Sequence, residues 1–235
     1  MNVRDIQSAL AAAGFDPGPI DGVRGRRTIA AIRRFQAENG LVVDGIVGPN
    51  TAAKLFPEGV PQAEATAIPA TVPWLQEAYN LMGTREKPGA GSNEAITGWA
   101  EAMELTSYSD DDIPWCGLFV AHCLGSQLPE ETLPRNVLGA RNWARAGIET
   151  TPRLGAIMVF WRGSPNGWKG HVGFYWAEDD DAFHILGGNQ SDAVTITRLS
   201  RDRLLEARWP ATAPAPDTEA RRANVHGRLL STDED

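Results

Sequence analysis

The groups of this 235-residue chain best suited to chemistry are two cysteines, four histidines and a run of aspartates. Cys116 follows Asp110-Asp111-Asp112-Ile113-Pro114-Trp115 and opens the apolar run Gly117-Leu118-Phe119-Val120. Acidic residues and a proline ahead of an apolar stretch mark a helix start. A thiol in the first helical turn feels the positive end of the helix dipole, which favours the nucleophilic thiolate. The three aspartates are expected to face solvent, where they would not oppose that effect. His171 comes fifty-five positions later, in Gly170-His171-Val172-Gly173, at the start of a strand-like segment whose glycines admit close neighbours. Its imidazole can take the thiol proton and return it to a leaving amine. Asn189 follows the next strand, in Gly187-Gly188-Asn189-Gln190. If the two strands pair, Asn189 falls beside His171 and its amide oxygen can fix the imidazole tautomer. Any one of these residues alone would be read as core, strand or turn. Together they stand in the order nucleophile, base, orienter.

The other candidates are weaker. Cys123 lies seven residues beyond Cys116 on the same expected helix, about 10 Å away at ~1.5 Å per residue. A disulfide needs Cα atoms closer than about 7 Å, so both thiols are expected to be free, with Cys123 a small core residue. His122 is six positions along that helix and faces away from Cys116, His184 is a fallback base in mid-strand, and His226 lies near the end of the chain. No HExxH and no paired CxxC occur, so neither a metal nor another cofactor is expected. Trp115, Trp168 and Gln190 are candidate substrate contacts, Trp168 because it sits in the Gly/Pro-rich loop Ser164-Pro165-Asn166-Gly167-Trp168 ahead of His171.

These groups need a scaffold, and the pattern from residue 74 to 210 supplies one. Helical spacing runs over 74–82, 93–105 and 115–124, and strand-like segments follow at 156–161, 172–176, 182–186, 194–197 and 205–209. Glu178-Asp179-Asp180-Asp181 reads as the turn between the second and third of them. Helices first and consecutive short strands after them predict an α+β domain with an antiparallel sheet.

Residues 1–56 read as a separate three-helix domain. Val3, Ile6, Leu10 and Ala13 hold helical spacing with Gly14 as C-cap. Ile29, Ile32 and Phe35 form a second amphipathic helix, and Ala52, Leu55 and Phe56 a third. Asp21-Gly22-Val23-Arg24-Gly25-Arg26-Arg27-Thr28 is echoed by Asp44-Gly45-Ile46-Val47-Gly48-Pro49-Asn50-Thr51, a D-G-x-x-G-x-x-T turn entering a helix each time. Residues 57–73, rich in proline, alanine and small polar residues, are a linker, and residues 211–235 are expected to be a disordered tail.

Net charge is −8 and uneven. Residues 1–56 hold seven basic and five acidic side chains, whereas 74–210 hold twelve and eighteen. So acidic a second domain argues against nucleic acid as partner. No apolar run approaches the ~20 residues of a membrane-spanning helix, and the start of the chain lacks the apolar stretch of a secretory signal. Synthesis in the cytoplasm without such a signal is therefore expected, with no membrane insertion.

Residues 3–56 resemble the peptidoglycan-binding type 1 domain, a three-helix cell-wall module, through Leu10, Gly14, Asp21-Gly22, Gly25, Thr28, Phe35-Gln36, Gly40-Leu41, Asp44-Gly45, Gly48 and Thr51-Ala52. Residues 75–210 resemble the CHAP and NlpC-type cysteine hydrolases, papain-like enzymes of the bacterial wall, especially a phage-associated branch. The residues that carry this likeness are Pro114-Trp115-Cys116-Gly117-Leu118-Phe119-Val120, Leu154-Gly155-Ala156-Ile157-Met158-Val159-Phe160, Gly170-His171-Val172-Gly173-Phe174 and Leu186-Gly187-Gly188-Asn189-Gln190. The resemblance implies Cys116 as nucleophile, His171 as base and Asn189 as third member, with the Cys116 backbone N–H as an oxyanion donor. The chain departs from many relatives in having Ala156 where they carry Asp, and Gly187 where they carry Glu, so Gln190 or Asp192 could share the orienting role.

The two resemblances together imply a monomeric peptidoglycan hydrolase like a phage endolysin, which reaches the wall with the help of a holin and cleaves an amide bond there. The same residues fit a secreted antibacterial effector of identical chemistry. A wall-binding protein with an inactive second domain is the non-enzymatic alternative.

Overall fold

The computed structural model describes residues 3–22, 25–57, 68–89 and 91–224, and the chain divides into two compact units, 1–67 and 68–235. Most of the expected linker and the last eleven residues, His226 among them, lie outside the described residues.

The first unit has three helices, α1 (Val3–Ala12), α2 (Arg26–Glu38) and α3 (Pro49–Leu55). Leu10, Ala31, Ile32, Phe35 and Leu55 form its core, and Phe15 meets Phe35 edge-on at 5.4 Å. The sequence repeat has a structural cause. Gln7 on α1 is buried; its Oε1 accepts from Gly22 N–H (2.8 Å) and its Nε2 donates to Asp21 Oδ1 (3.1 Å) and Thr28 Oγ1 (3.2 Å). Gln36 on α2 does the same: Oε1 accepts from Gly45 N–H (2.8 Å), and Nε2 donates to Asp44 Oδ1 (2.7 Å) and Thr51 Oγ1 (3.1 Å). Each buried glutamine thus ties an Asp-Gly turn to the threonine of the following helix. Gly22 and Gly45 have φ of +80° and +78°, a backbone region costly for residues with a Cβ.

The second unit opens with α4 (Pro73–Asn80), α5 (Glu94–Ala102) and α6 (Cys116–Gln127). A 3₁₀ segment, Ala140–Arg145, leads to the strands β1 (Ile148–Glu149), β2 (Ile157–Trp161), β3 (Gly170–Glu178), β4 (Ala182–Gly187), β5 (Thr195–Ser200) and β6 (Leu204–Trp209). All neighbours pair antiparallel, in the order β1-β6-β2-β3-β4-β5, so the expected α+β class holds. Only β1, two exposed residues long, has no counterpart among the expected strands. α6 packs on β3 and β4 and against α4 and α5. It is apolar all round, and Leu118, Phe119, Val120, Ala121, Cys123 and Leu124 are buried, as a helix enclosed on every side requires. Trp74, Trp115, Trp143 and Trp209 fill the interior, each with its indole N–H bonded.

Residues 211–224, expected to be the start of a disordered tail, pack on this unit. Thr218 Oγ1 donates to Leu154 O (2.8 Å), Ala223 N–H donates to Glu178 O (2.8 Å), and Ala223 is buried. The low-complexity composition concealed a segment held by backbone hydrogen bonds, which any sequence can make. Among the described residues no helix is long and apolar enough to cross a membrane.

Candidate active site

Cys116 is the first residue of α6, following Trp115 as N-cap, and is only 5% exposed. The backbone of Val172, the neighbour of His171, and the amides of Gly117 and of Cys116 itself act to lower the pKa of its thiol. Burial raises the thiol above its ordinary range, against the pull of these amides and of the Arg162 charge. The helix start therefore does not yield a resting thiolate, because desolvation of the charged form outweighs the dipole.

His171 lies on β3, opposite Phe160 of β2, and is 6% exposed. Burial, reinforced by the positive charges of Arg162 and Arg203, pushes its pKa down to about 4. At neutral pH Cys116 is therefore a thiol and His171 a neutral imidazole.

The amide in contact with His171 belongs to Gln190 and not to Asn189. His171 Nε2 lies 3.0 Å from Gln190 Oε1, whereas Asn189 Nδ2 donates to Glu86 Oε1 at 2.7 Å. The amide of Gln190 can face only one way. Its Nε2 donates to Ile185 O (3.2 Å), Gly187 O (3.2 Å) and Thr195 O (2.5 Å), so oxygen is turned to the imidazole. An acceptor there requires His171 Nε2 to carry the proton and leaves Nδ1 as the basic nitrogen. Gly187 makes room for this contact: a Cβ on it would lie 3.2 Å from Gln190 Oε1 and 3.3 Å from His171 Nε2. The amide of Gln190 thus fills the space beside Gly187.

Two of the expected substrate contacts are structural. Gln190 is buried with its amide fully engaged. Trp115 is fully buried and donates to Glu86 Oε1 at 2.8 Å. Trp168 is 83% exposed, with Lys169 Nζ 5.6 Å from its ring centroid. Its loop is held by Arg141, whose guanidinium donates to Ser164 O (2.9 Å), Pro165 O (3.0 Å) and Lys169 O (2.9 Å). His122 stacks on Trp99 and faces Glu77 at 3.5 Å. His184 is bound to Asp179 at 2.7 Å in a buried cluster with Arg198. Neither is placed as a base for Cys116.

The aspartates do not all face solvent. Asp111 is buried, and its Oδ2 accepts from Lys87 N–H (3.0 Å) and Asn93 N–H (2.7 Å). The carboxylate oxygens of Asp110, Asp111 and Asp112 lie within 4.8 Å of one another, but Asp111 is already engaged in anchoring the loop that carries Glu86. Sequence reasoning missed Glu86, which lies thirty positions before Cys116 without a motif around it. Burial, with repulsion from Asp192, Asp111 and Asp112, raises its carboxyl above the usual range against the lowering bond from Trp115. Its Oε1 joins the residue before Cys116 to the turn after β4. Glu86→Ala strands the buried Trp115 N–H and is expected to lower unfolding free energy by about 1–3 kcal/mol in urea titrations. Glu86→Gln keeps the acceptor and should restore most of it.

A pH effect on stability follows from His171. Its folded pKa of about 4 lies below the ordinary 6.5, so the unfolded chain binds the extra proton between those values. Stability is therefore full above pH 6.5 and falls as pH drops towards 4, by ~3 kcal/mol. Urea midpoints at pH 7, 5.5 and 4.5 should show this slope in the wild type and a flatter one in His171→Gln. Asp179, held low first by its bond from Arg198, titrates beneath this window.

Residues 1–55 match the profile of a family described as "Putative peptidoglycan binding domain". Similar proteins include the N-acetylmuramoyl-L-alanine amidase CwlL of Bacillus licheniformis, 49% identical over 59 residues, which are 23% of this chain and 16% of that protein. The spore cortex-lytic enzyme of Halalkalibacterium halodurans is 46% identical over 54 residues, 23% of this chain and 16% of its own length. The amidase CwlM of Mycobacterium tuberculosis is 40% identical over 55 residues, 23% of this chain and 14% of its own. The chain thus spans about a sixth of the length of the curated relatives it matches. No solved structure matches it. The first unit, with its two glutamine-centred turns, carries a peptidoglycan-binding domain.

Proposed function

We propose that the protein is a peptidoglycan hydrolase that cleaves an amide bond of the bacterial wall through Cys116, with His171 as base and Gln190 as orienter. The observation that carries this reading is the contact of His171 with Gln190, in which the glutamine oxygen fixes the imidazole tautomer, while Val172, the neighbour of His171, acts on the Cys116 thiol. The peptidoglycan-binding match over residues 1–55, and the amidase and cortex-lytic names of the relatives that share that stretch, support the wall as substrate.

In this mechanism His171 Nδ1 takes the Cys116 proton as the sulfur attacks the scissile carbonyl. The backbone N–H groups at the start of α6 receive the oxyanion. The imidazolium then protonates the leaving nitrogen, and a thioester on Cys116 remains. Water, deprotonated by the same nitrogen, releases the acyl group and restores the thiol. Trp168 offers an exposed ring to the substrate. The enzyme is read as a monomer resembling a phage endolysin and the CHAP and NlpC-type hydrolases, made in the cytoplasm and passed to the wall through a holin.

The test is digestion of isolated peptidoglycan by the wild type and by Cys116→Ala, with mass spectrometry of the soluble fragments. Glycan strands freed of intact stem peptides would identify an amidase, and shortened stems or opened cross-links an endopeptidase. Release of identical fragments by both proteins would sink the cysteine mechanism.

A further inference from the structure

A basic groove interrupts the otherwise acidic second unit. It is open, about 860 Å³ in volume, and bordered by the 131–136 loop and the 3₁₀ segment. Its walls bring together Arg135, Arg141 and Arg145 against a single carboxylate, Glu131. That carboxylate is occupied: it accepts from Ala211 N–H (2.9 Å), Thr212 N–H (2.8 Å) and Thr212 Oγ1 (2.6 Å). Arg141 donates to three backbone carbonyls, neutral partners that leave its charge uncompensated. Arg135 and Arg145 are exposed, and among the described residues no hydrogen bond or ion pair engages either.

Two contacts bind this groove to the site. The residue after Asn136 on its wall is Val137, whose carbonyl occupies the space a side chain at Gly117, next to Cys116, would need. On the other side the Arg141 Cγ would stand 3.0 Å from a Cβ on Gly170, next to His171. Arg141 also holds the Trp168 loop. The groove and its three arginines thus adjoin Gly117 and Gly170, the neighbours of Cys116 and His171.

We infer that the groove is a binding site for the anionic part of the substrate, a peptide with free carboxylates, recognised by Arg135 and Arg145. The inference rests on the amide-hydrolase reading and names which wall peptides that site prefers: those with free carboxylates over those whose carboxylates are amidated. A guanidinium pairs with a carboxylate through two charge-assisted N–H bonds, whereas a carboxamide offers no charge.

The test uses two soluble muropeptides, identical except that the stem carboxylates are free in one and amidated in the other. Arg135→Glu/Arg145→Glu, whose altered side chains are exposed and unbonded, is expected to raise KM for the free-carboxylate substrate about tenfold, equivalent to ~1.4 kcal/mol, and to change the amidated one less than twofold. Calorimetric titration of the free-carboxylate muropeptide into Cys116→Ala, with and without the two reversals, should show the same weakening. Equal losses on both substrates, or no change on either, would overturn the inference while leaving hydrolysis by Cys116 intact. If the wild type cleaves neither substrate, the hydrolase reading fails, and the calorimetric comparison still decides the groove.

Discussion

Cys116→Ala is expected to release no fragments from peptidoglycan above background, a loss on the order of 10⁴-fold or more in kcat. Removing the sulfur removes the proposed nucleophile, and the other thiol of α6, Cys123, is fully buried and cannot replace it. The protein should still fold, because alanine suits a helix start and the deleted atom is one small buried sulfur. Cys116→Ser should be almost as inactive. A hydroxyl is a far weaker acid than a thiol, and His171, with its pKa down at about 4, is a weak base for it. The same electrostatics predict slow alkylation of Cys116 by iodoacetamide at neutral pH, accelerating only as the raised thiol begins to ionise. Hydrolysis by Cys116→Ala within tenfold of the wild type would place the nucleophile elsewhere.

The second large effect separates two adjacent residues. Gln190→Ala is expected to lower kcat on the order of 10²-fold, the usual scale of a lost general-base contribution, because His171 Nε2 loses its acceptor and the tautomer is no longer held. Asn189→Gly should leave kcat within about threefold, since that amide serves Glu86 and not the imidazole. Glycine is the right replacement there: Asn189 sits at φ +56°, where alanine would add backbone strain.

Gln190→Glu tests positioning against mere packing. Its carboxylate supplies the acceptor to His171 but presents oxygen to the carbonyls of Ile185, Gly187 and Thr195, so the fold should weaken. A negative charge beside His171 would also raise the imidazole pKa, moving the acid limb of the pH–kcat profile up from about 4. A loss of activity with that limb unmoved would reduce Gln190 to a packing role. A 10²-fold loss in Asn189→Gly with none in Gln190→Ala would restore Asn189 as the orienter.

Much of the architecture was legible because it depends on local periodicity. The apolar run after Cys116 produced a helix that begins where the proline and aspartates predicted. The alternating and apolar segments from 156 onward produced five of the six strands, all antiparallel. The D-G-x-x-G-x-x-T repeat marked two equivalent turns, although nothing in the sequence showed that buried glutamines, Gln7 and Gln36, organise them.

The pairing of side chains around His171 was decided elsewhere. In the β3–β4 register Phe174 faces Leu186, and carrying that register three residues outward sets Asn189 opposite His171, as the sequence suggested. β4 stops at Gly187, and Asn189, Ser191 and Asp192 all take positive φ, between 53° and 58°. Asn and Asp tolerate that region well enough to give little warning of it. The turn carries Asn189 to Glu86, from a loop a hundred residues earlier, and swings Gln190 back into a ring of carbonyls from β4 and β5. The sequence alone determined which chemical groups the chain has and the elements that bear them, because propensity and periodicity act between near neighbours. Only the tertiary structure decided which amide reaches the imidazole, because that choice depends on hydrogen-bond partners brought together from distant strands and loops.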